Sequence, residues 1–373
     1  MAHSVAAAGE GYPCAPRVLV VSGSVGAGHD GAASELAARL RDAGGIVEVR
    51  DFLAAVPRPV AWLLREGYLN TVERIPAAFE FLYQRLEHKG PFWRAEAVLV
   101  ARGADGIARW VADFRPDVVV AVYPPAVQAV GMMRGTGRLT MPAMSYLTDP
   151  AAHVSWLHPA LDVHATVTEA TARQAAADYG VACTVAGPLV PARFSVRPDP
   201  ARLAALRAEL GLRDGSPVAL LGGGSLALGE VAPTARLLTA SGATALVLCA
   251  RNEPLRRRLE RLPGVLPLGW RTDVHELVHV ADVLVQNSGG LSLTEALVAG
   301  LPAVTYRPIP GHGRANAAVL DASGLVPWAR TPEQLVEMVH AVVGRDRTPR
   351  TFPDPAALVL SLAEASARAG RVA

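Results

Sequence analysis

The sequence predicts an α/β protein made of two Rossmann-like units with parallel sheets, and three observations carry that expectation. Short apolar runs of strand length alternate with helix-periodic segments along most of the chain. Small-residue loops rich in glycine recur in both halves, at Gly23 to Gly28 and at Gly222 to Ser225. At 373 residues, 51% of them apolar, the chain exceeds one ordinary hydrophobic core.

Taken in order, Arg17 to Ser22 reads as the first strand, followed by the loop Gly23 to Gly28 and an amphipathic helix over Gly31 to Ala43. Gly44-Gly45 stops that helix, and Ile46 to Arg50 reads as the second strand. Further strands are expected at Val118 to Val122, Ala143 to Leu147, Ala165 to Thr168 and Cys183 to Ala186. The proline-rich passage Gly187 to Pro200 breaks the periodicity. A helix at Ala201 to Leu210 opens the second unit, with strands at Val218 to Leu221, Ala245 to Ala250, Val283 to Gln286 and Ala303 to Tyr306. The expected organisation is a flexible N-terminus over 1–16, a first unit over 17–190, a linker over 191–200 and a second unit over 201–350. A C-terminal helix over 351–373 would cross back to the first unit. Ligands then belong at the C-terminal edges of the strands.

Net charge is +2 with both signs interspersed, so nothing calls for a nucleic-acid partner. Cys14, Cys183 and Cys249 lie far apart without a Cys-x-x-Cys pair, which argues against a disulfide framework or zinc site and suits the cytosol. No signal peptide is evident, and the longest apolar windows are too short or too interrupted to span a bilayer. A soluble or peripheral protein is expected.

The stretch Leu268 to Asn316 reads as a nucleotide-sugar site. Between two apolar strands, a helix starts at Ser288-Gly289-Gly290, where free N–H groups and the positive helix end make a phosphate seat. Glu295, about one and a half turns in, could accept hydrogen bonds from a ribose diol. An ordinary turn with a solvated glutamate is the alternative. An NAD-dependent dehydrogenase is the rival from another class, because Gly26, Gly28 and Gly31 satisfy G-x-G-x-x-G and Asp51 follows as a ribose acid. However, four residues separate the strand end from Gly26, and Gly222, Gly224 and Ala227 fit the same loose template.

In this stretch Gly269, Ala281-Asp282, Ser288-Gly289, Thr294-Glu295-Ala296-Leu297, Gly300-Leu301-Pro302, Pro310-Gly311 and Asn316 follow one another in order. The pattern resembles the donor half of glycosyltransferase family 28. That family includes the peptidoglycan N-acetylglucosaminyltransferase of lipid II synthesis, the monogalactosyldiacylglycerol synthases and the processive diacylglycerol glycosyltransferases. The first half resembles the monogalactosyldiacylglycerol synthase branch, through Ser22 to His29 with its closing Gly-His, Thr148 to Pro159, and Leu189 and Phe194 after Gly187-Pro188. The resemblance implies the GT-B fold: two facing Rossmann-like domains, the first binding acceptor and the second a nucleotide diphosphate sugar.

Sugar transfer to an alcohol needs a base, a counter-charge for the leaving diphosphate and a held sugar. Asp149, beyond the strand Ala143 to Leu147, is the candidate base, a role the resemblance also assigns; capping the turn before Pro150 is its alternative. Gly28 and His29 face it from the glycine loop, with Tyr123, His153 and Trp156 as further acceptor-side residues. On the donor side stand Gly223, Gly224 and Ser225 in one loop and Ser288, Gly289, Gly290 and Ser292 in the other, with Glu295 and Arg251. The resemblance assigns uracil to the backbone of Trp270 and Arg271, and the sugar to Gly311, His312 and Asn316. No Asp-x-Asp occurs to hold a metal, so the donor UDP-sugar is expected without metal or other cofactor. Two departures stand out: Pro310-Gly311-His312-Gly313 where lipid glycosyltransferases commonly show Pro-Gly-Gln-Glu, and Tyr123 where the galactolipid branch tends to have histidine.

Between Pro57 and Arg102, aromatic residues (Trp62, Tyr68, Phe79, Phe81, Tyr83, Phe92, Trp93) are interleaved with Arg58, Arg65, Arg74, Arg85, Lys89 and Arg94. This mixture suits an anionic membrane surface; a helical hairpin with a solvated basic face is the alternative. The expected function is inverting, metal-independent transfer of a hexose from a UDP-sugar to a lipid acceptor, most simply diacylglycerol, in glycolipid biosynthesis. The protein would sit in the cytoplasm, peripherally on the inner face of the cell membrane. Transfer to a soluble secondary metabolite, and an inactive nucleotide-sugar-binding protein, are the remaining alternatives.

Overall fold

The computed structural model describes residues 15–87, 90–213, 215–224, 226–344, 347 and 350–372. The first half supplies strands β1 (Arg17–Ser22), β2 (Ile46–Asp51), β3 (Val118–Ala121), β4 (Ala143–Leu147), β5 (Val163–Thr166) and β6 (Thr184–Val185). They form one parallel sheet in the order β2-β1-β3-β4-β5-β6. The second half supplies β7 (Val218–Gly222), β8 (Thr244–Leu248), β9 (Val265–Leu268), β10 (Val283–Gln286), β11 (Ala303–Tyr306) and β12 (Trp328–Ala329). Their parallel order is β12-β11-β10-β7-β8-β9. In both sheets the order reverses beside the first strand of the unit, which opens a crevice at the C-terminal edge.

Helices cover both faces of each sheet, which is why β1 and β3 are continuous valine-rich runs rather than alternating ones. On one face of the first sheet Leu19, Val21, Phe52, Ile107 and Met133 close a core; on the other, Val18, Val20, Leu36, Leu40 and Met144 do so. Val359 and Ala363 of the C-terminal helix Pro355–Val372 complete this second core. Full burial of a side chain such as Val359 contributes roughly 1.5–3 kcal/mol. Among the described residues no helix is long and apolar enough to cross a membrane.

Several boundaries differ from the sequence reading. The first helix runs Ala27–Asp42, four residues earlier than expected, so Gly28 and His29 lie in its first turn rather than in a loop. Gly26 caps it with extended backbone, φ −150° and ψ 163°. β9 and β12 were not anticipated: β9 carries Pro267, which is tolerated because this edge strand pairs on one side only, and β12 has two residues. Most of the N-terminal stretch expected to be flexible, with Cys14, lies outside the described residues.

The chain crosses between the sheets twice, after β6 and again before the C-terminal helix. The crossings touch: Gly187, at φ +82°, sits so close that a Cβ there would fall 2.2 Å from the Pro353 carbonyl oxygen. Arg39 of the first helix clamps both, donating to Val190 O at 2.6 Å and to Asp354 Oδ1 at 3.1 Å.

Candidate active site

A cavity of about 820 Å³ lies between the C-terminal edges of the two sheets. Its first wall starts at the glycine loop after β1. Gly23 passes so close to Tyr123 that a Cβ would fall 2.3 Å from the ring, so only glycine fits. Asp51 fastens the loop by accepting Ser24 N–H at 3.2 Å, and caps the next helix by accepting Leu53 N–H at 2.9 Å. The acid on which the dehydrogenase alternative relied is thus a structural cap, and it does not line the cavity.

His29 projects from the first helical turn towards Thr148, with Nδ1 3.2 Å from Thr148 Oγ1, and its ring packs 5.2 Å from Tyr123 and 5.8 Å from Trp156. Burial lowers its pKa, and the nearby Asp149 charge opposes that effect. Asp149 lies just beyond β4. Its Oδ2 accepts the indole N–H of the buried Trp156 at 3.1 Å, and its Oδ1 accepts an amide N–H of Asn316 at 3.1 Å. His153 pairs through Nδ1 with Ser155 Oγ at 2.7 Å and through Nε2 with Tyr83 O at 3.3 Å, which braces this loop. His158 packs on Gly131 and does not line the cavity.

The second wall begins with Gly223 and Gly224 after β7; Ser225 lies outside the described residues. After β10, Gln286 Oε1 accepts the N–H groups of Ser288 (2.9 Å) and Gly289 (2.5 Å). Those two amides are therefore occupied, and Gly289 is packed behind the cavity against Asn316. The cavity is lined instead by Gly290, Leu291 and Ser292, at the start of the helix Leu291–Val298, where the first N–H groups have no intrahelical partner. Glu295 faces the cavity, and burial pushes its pKa to about 7 against a weaker opposing effect of Arg193.

Trp270 and Arg271 follow β9. The Arg271 guanidinium is held by Asp273, with Nε to Oδ1 at 2.7 Å. Arg251 does not line the cavity; its guanidinium lies 4.9 Å from the Trp270 ring centroid and backs that ring. Gly311, expected to touch the sugar, instead donates its N–H to Glu80 Oε2 at 2.7 Å and is covered by Phe79 and Tyr83. His312 lines the cavity beside the rings of Tyr68 (6.2 Å) and Phe79 (6.1 Å), with its pKa lowered by burial. A Cβ at Gly313 would meet Ile309 Cγ1 at 2.6 Å and Asn287 O at 3.0 Å, so no acidic side chain fits there. Asn316 is fully buried with its amide engaged by protein groups, which corrects the expectation of direct sugar contact.

The aromatic and basic segment divides between two surfaces. Tyr68, Phe79 and Tyr83 turn inward and line the cavity, while Trp62, Leu63, Ile75 and Phe81 are exposed beside Arg58, Arg65, Arg74 and Arg85. Lys89 and the side chains of Phe92 and Trp93 lie outside the described residues. Sequence reasoning missed the inward aromatic wall, Gln286 and Arg193. Among the described residues no group of three or more His, Cys, Asp or Glu side chains could hold a metal ion.

Residues 29–184, which carry His29, Asp149 and Trp156, match the family model described as monogalactosyldiacylglycerol (MGDG) synthase. The chain is similar to the monogalactosyldiacylglycerol synthases. It is 26% identical over 371 residues to the chloroplastic monogalactosyldiacylglycerol synthase of Spinacia oleracea, covering 88% of this chain and 66% of that protein. It is also 24% identical over 246 residues to the processive diacylglycerol beta-glucosyltransferase of Bacillus licheniformis, covering 64% of this chain and 63% of that one. The chain thus spans just under two thirds of the length of these relatives. Among solved structures it resembles MurG of Acinetobacter baumannii, with a TM-score of 0.53, 16% identity and 95% of each chain covered. It also resembles the glycosyltransferase SsfS6 of Streptomyces sp. SF2575 in complex with thymidine diphosphate, with a TM-score of 0.57, 15% identity, and 94% and 99% covered. With its two parallel sheets, the chain has the GT-B fold.

Proposed function

We propose that this chain transfers a hexose from a UDP-sugar to a diacylglycerol-type lipid, with inversion and without a metal ion, as a peripheral protein on the cytoplasmic face of a membrane. One observation carries the reading: Asp149, oriented by Trp156 and Asn316, shares a cavity with the open N-terminus of the Leu291–Val298 helix and with Glu295.

The acceptor hydroxyl gives its proton to Asp149 as its oxygen bonds to the anomeric carbon, and the bond from that carbon to the diphosphate breaks on the opposite face. Charge on the leaving UDP is met by the amides of Gly290 to Ser292 and the positive helix end, the work a divalent cation does elsewhere. His29, kept towards its neutral form by burial, offers a ring nitrogen to orient the hydroxyl. Glu295 accepts from the ribose, and Trp270 with the Arg271 backbone receives the base. A lipid acceptor is supported by the apolar cavity wall that includes Leu64, Phe79, Leu82 and Leu86, and by the curated relatives.

Incubation with diacylglycerol liposomes and a panel of UDP-sugars, followed by product analysis, tests the reading. A glycosylated diacylglycerol of inverted anomeric configuration is expected. Sugar transfer only to soluble alcohols would move the acceptor to the secondary-metabolite class, and tighter binding of NAD than of UDP would overturn the reading.

A further inference from the structure

Asn316 sits in the His312–Ala322 helix of the second half, fully buried, and its amide joins three groups. Oδ1 accepts the Ala151 N–H at 2.9 Å, while Nδ2 donates to Ser288 O at 2.8 Å and to Asp149 Oδ1 at 3.1 Å. Ala151 and Asp149 belong to the loop beyond β4; Ser288 belongs to the donor loop beyond β10. A neutral carboxamide supplies an acceptor oxygen and two N–H donors in a single plane, and these three partners take both donors and one lone pair of the oxygen. Leucine of the same shape would leave Asp149 and Ala151 without their partner, and aspartate would face a carboxylate and a carbonyl with no N–H to give.

We propose that Asn316 is a positioning residue that makes the base competent only when the cleft is closed. Trp156 holds Asp149 Oδ2 from within the first half, whatever the other half does. The hold on Oδ1 comes from the opposite half, through a side chain bonded at the same time to the donor loop. Closing over a donor therefore fixes the second carboxylate oxygen, so that both oxygens of the group that takes the proton are held in place. The groups around Asp149 are His29 from the first helix, His153 and Trp156 from its own loop, Tyr68 and Tyr83 from the helical segment above, and His312 and Asn316 from below. Burial holds the three histidines towards neutrality, so Asp149 faces hydrogen-bond donors rather than fixed cations.

This inference rests on Asp149 being the base, so its test includes that residue. Turnover of Asn316→Asp, Asn316→Ala and Asp149→Asn is measured against pH, with UDP affinity as the check that each variant folds. Asn316→Asp should lose at least about ten-fold in kcat near neutral pH and move the acid limb of its kcat profile upward by about one unit or more, since two carboxylates then share the site. Asn316→Ala should move the limb in the same direction by less. UDP affinity should stay within about two-fold in both. Asn316→Ala puts no charge in the clasp and carries the test if the aspartate variant does not fold. Equal loss of turnover at every pH, with the limb unmoved in each folded variant, would overturn the clasp while leaving Asp149 as base. Full turnover in Asp149→Asn would instead remove the base on which both readings stand.

Discussion

Glu80 Oε2 accepts the backbone N–H of Gly311 at 2.7 Å, a bond between residues 231 positions apart. It draws the Pro76–Leu86 helix over the turn between β11 and the His312–Ala322 helix, so that Phe79 and Tyr83 cover Gly311 and Phe79 packs against His312. One helical segment thereby serves two surfaces: its inner aromatic residues shape the cavity, and its outer face carries Phe81 and Arg85, whose guanidinium lies 5.0 Å from the Phe81 ring centroid.

Replacing Asp149, the proposed base, by asparagine removes a carboxylate while keeping a group of similar size. Turnover should fall by roughly two to four decades. UDP affinity by calorimetry should remain near that of the unsubstituted protein, because the donor seat lies on the other wall.

Glu295 combines function with a stability cost. Its folded pKa of about 7 exceeds the usual 4.5, so between these values the folded chain holds a proton that the unfolded chain releases. Stability from this group is therefore full below about pH 4.5 and declines as pH rises through 7, by an amount on the order of 3 kcal/mol. Glu295→Gln should raise thermal stability above pH 7. The same variant should weaken UDP binding by about 1–3 kcal/mol through loss of a charge-assisted bond to the ribose. Calorimetry and thermal unfolding at pH 5.5 and 8 separate the two effects.

The exposed group Trp62, Leu63, Ile75 and Phe81 with its arginines should bind anionic vesicles at low salt and release them as salt rises. Replacing Arg58, Arg65 and Arg74 together by glutamine should mimic added salt in co-sedimentation. Indifference to vesicles at every ionic strength would remove the membrane from the proposal.

Gly313 should reject any larger residue. A Cβ there overlaps Ile309 and presses on the Asn287 carbonyl, so Gly313→Ala should destabilise by about 1–3 kcal/mol and lower the midpoint of thermal unfolding. Gly313→Glu, which would restore the acid of the related lipid enzymes, should do worse and yield no gain in transfer.

A chelator should leave transfer intact if helix amides supply the counter-charge. Activity that vanishes with EDTA and returns with magnesium or manganese would contradict metal independence.

Much of the fold was legible because strands buried on both faces read as continuous apolar runs: β1, β4, β10 and β11 have the expected bounds. The first helix starts before the point its sequence suggests, because Gly28 and Gly31 look like loop residues although Gly26 already caps a helix that contains both. In the site, Asp149, His29 and Glu295 were legible because each is fixed by its local position after a strand or within a helix turn. Arg193, Gln286 and the inward face of Tyr68, Phe79 and Tyr83 were not, since their roles arise from packing between segments far apart in sequence. The same holds for Asn316, whose spacing pointed to a ligand while its three hydrogen bonds point to protein.

The paired crossings held by Arg39 also govern how such a molecule can move. Two tethers that run side by side, with Gly187 against Pro353, behave as one short spine along one end of the cleft. A spine of this kind hinders sliding of one half past the other, because both tethers would have to be displaced together. The farther a group lies from the spine, the longer the arc it travels. Charge removal at Arg39 would loosen the bearing itself, and the alignment of the two edges that line the cavity would then be less tightly fixed, without any change to the residues of the cavity.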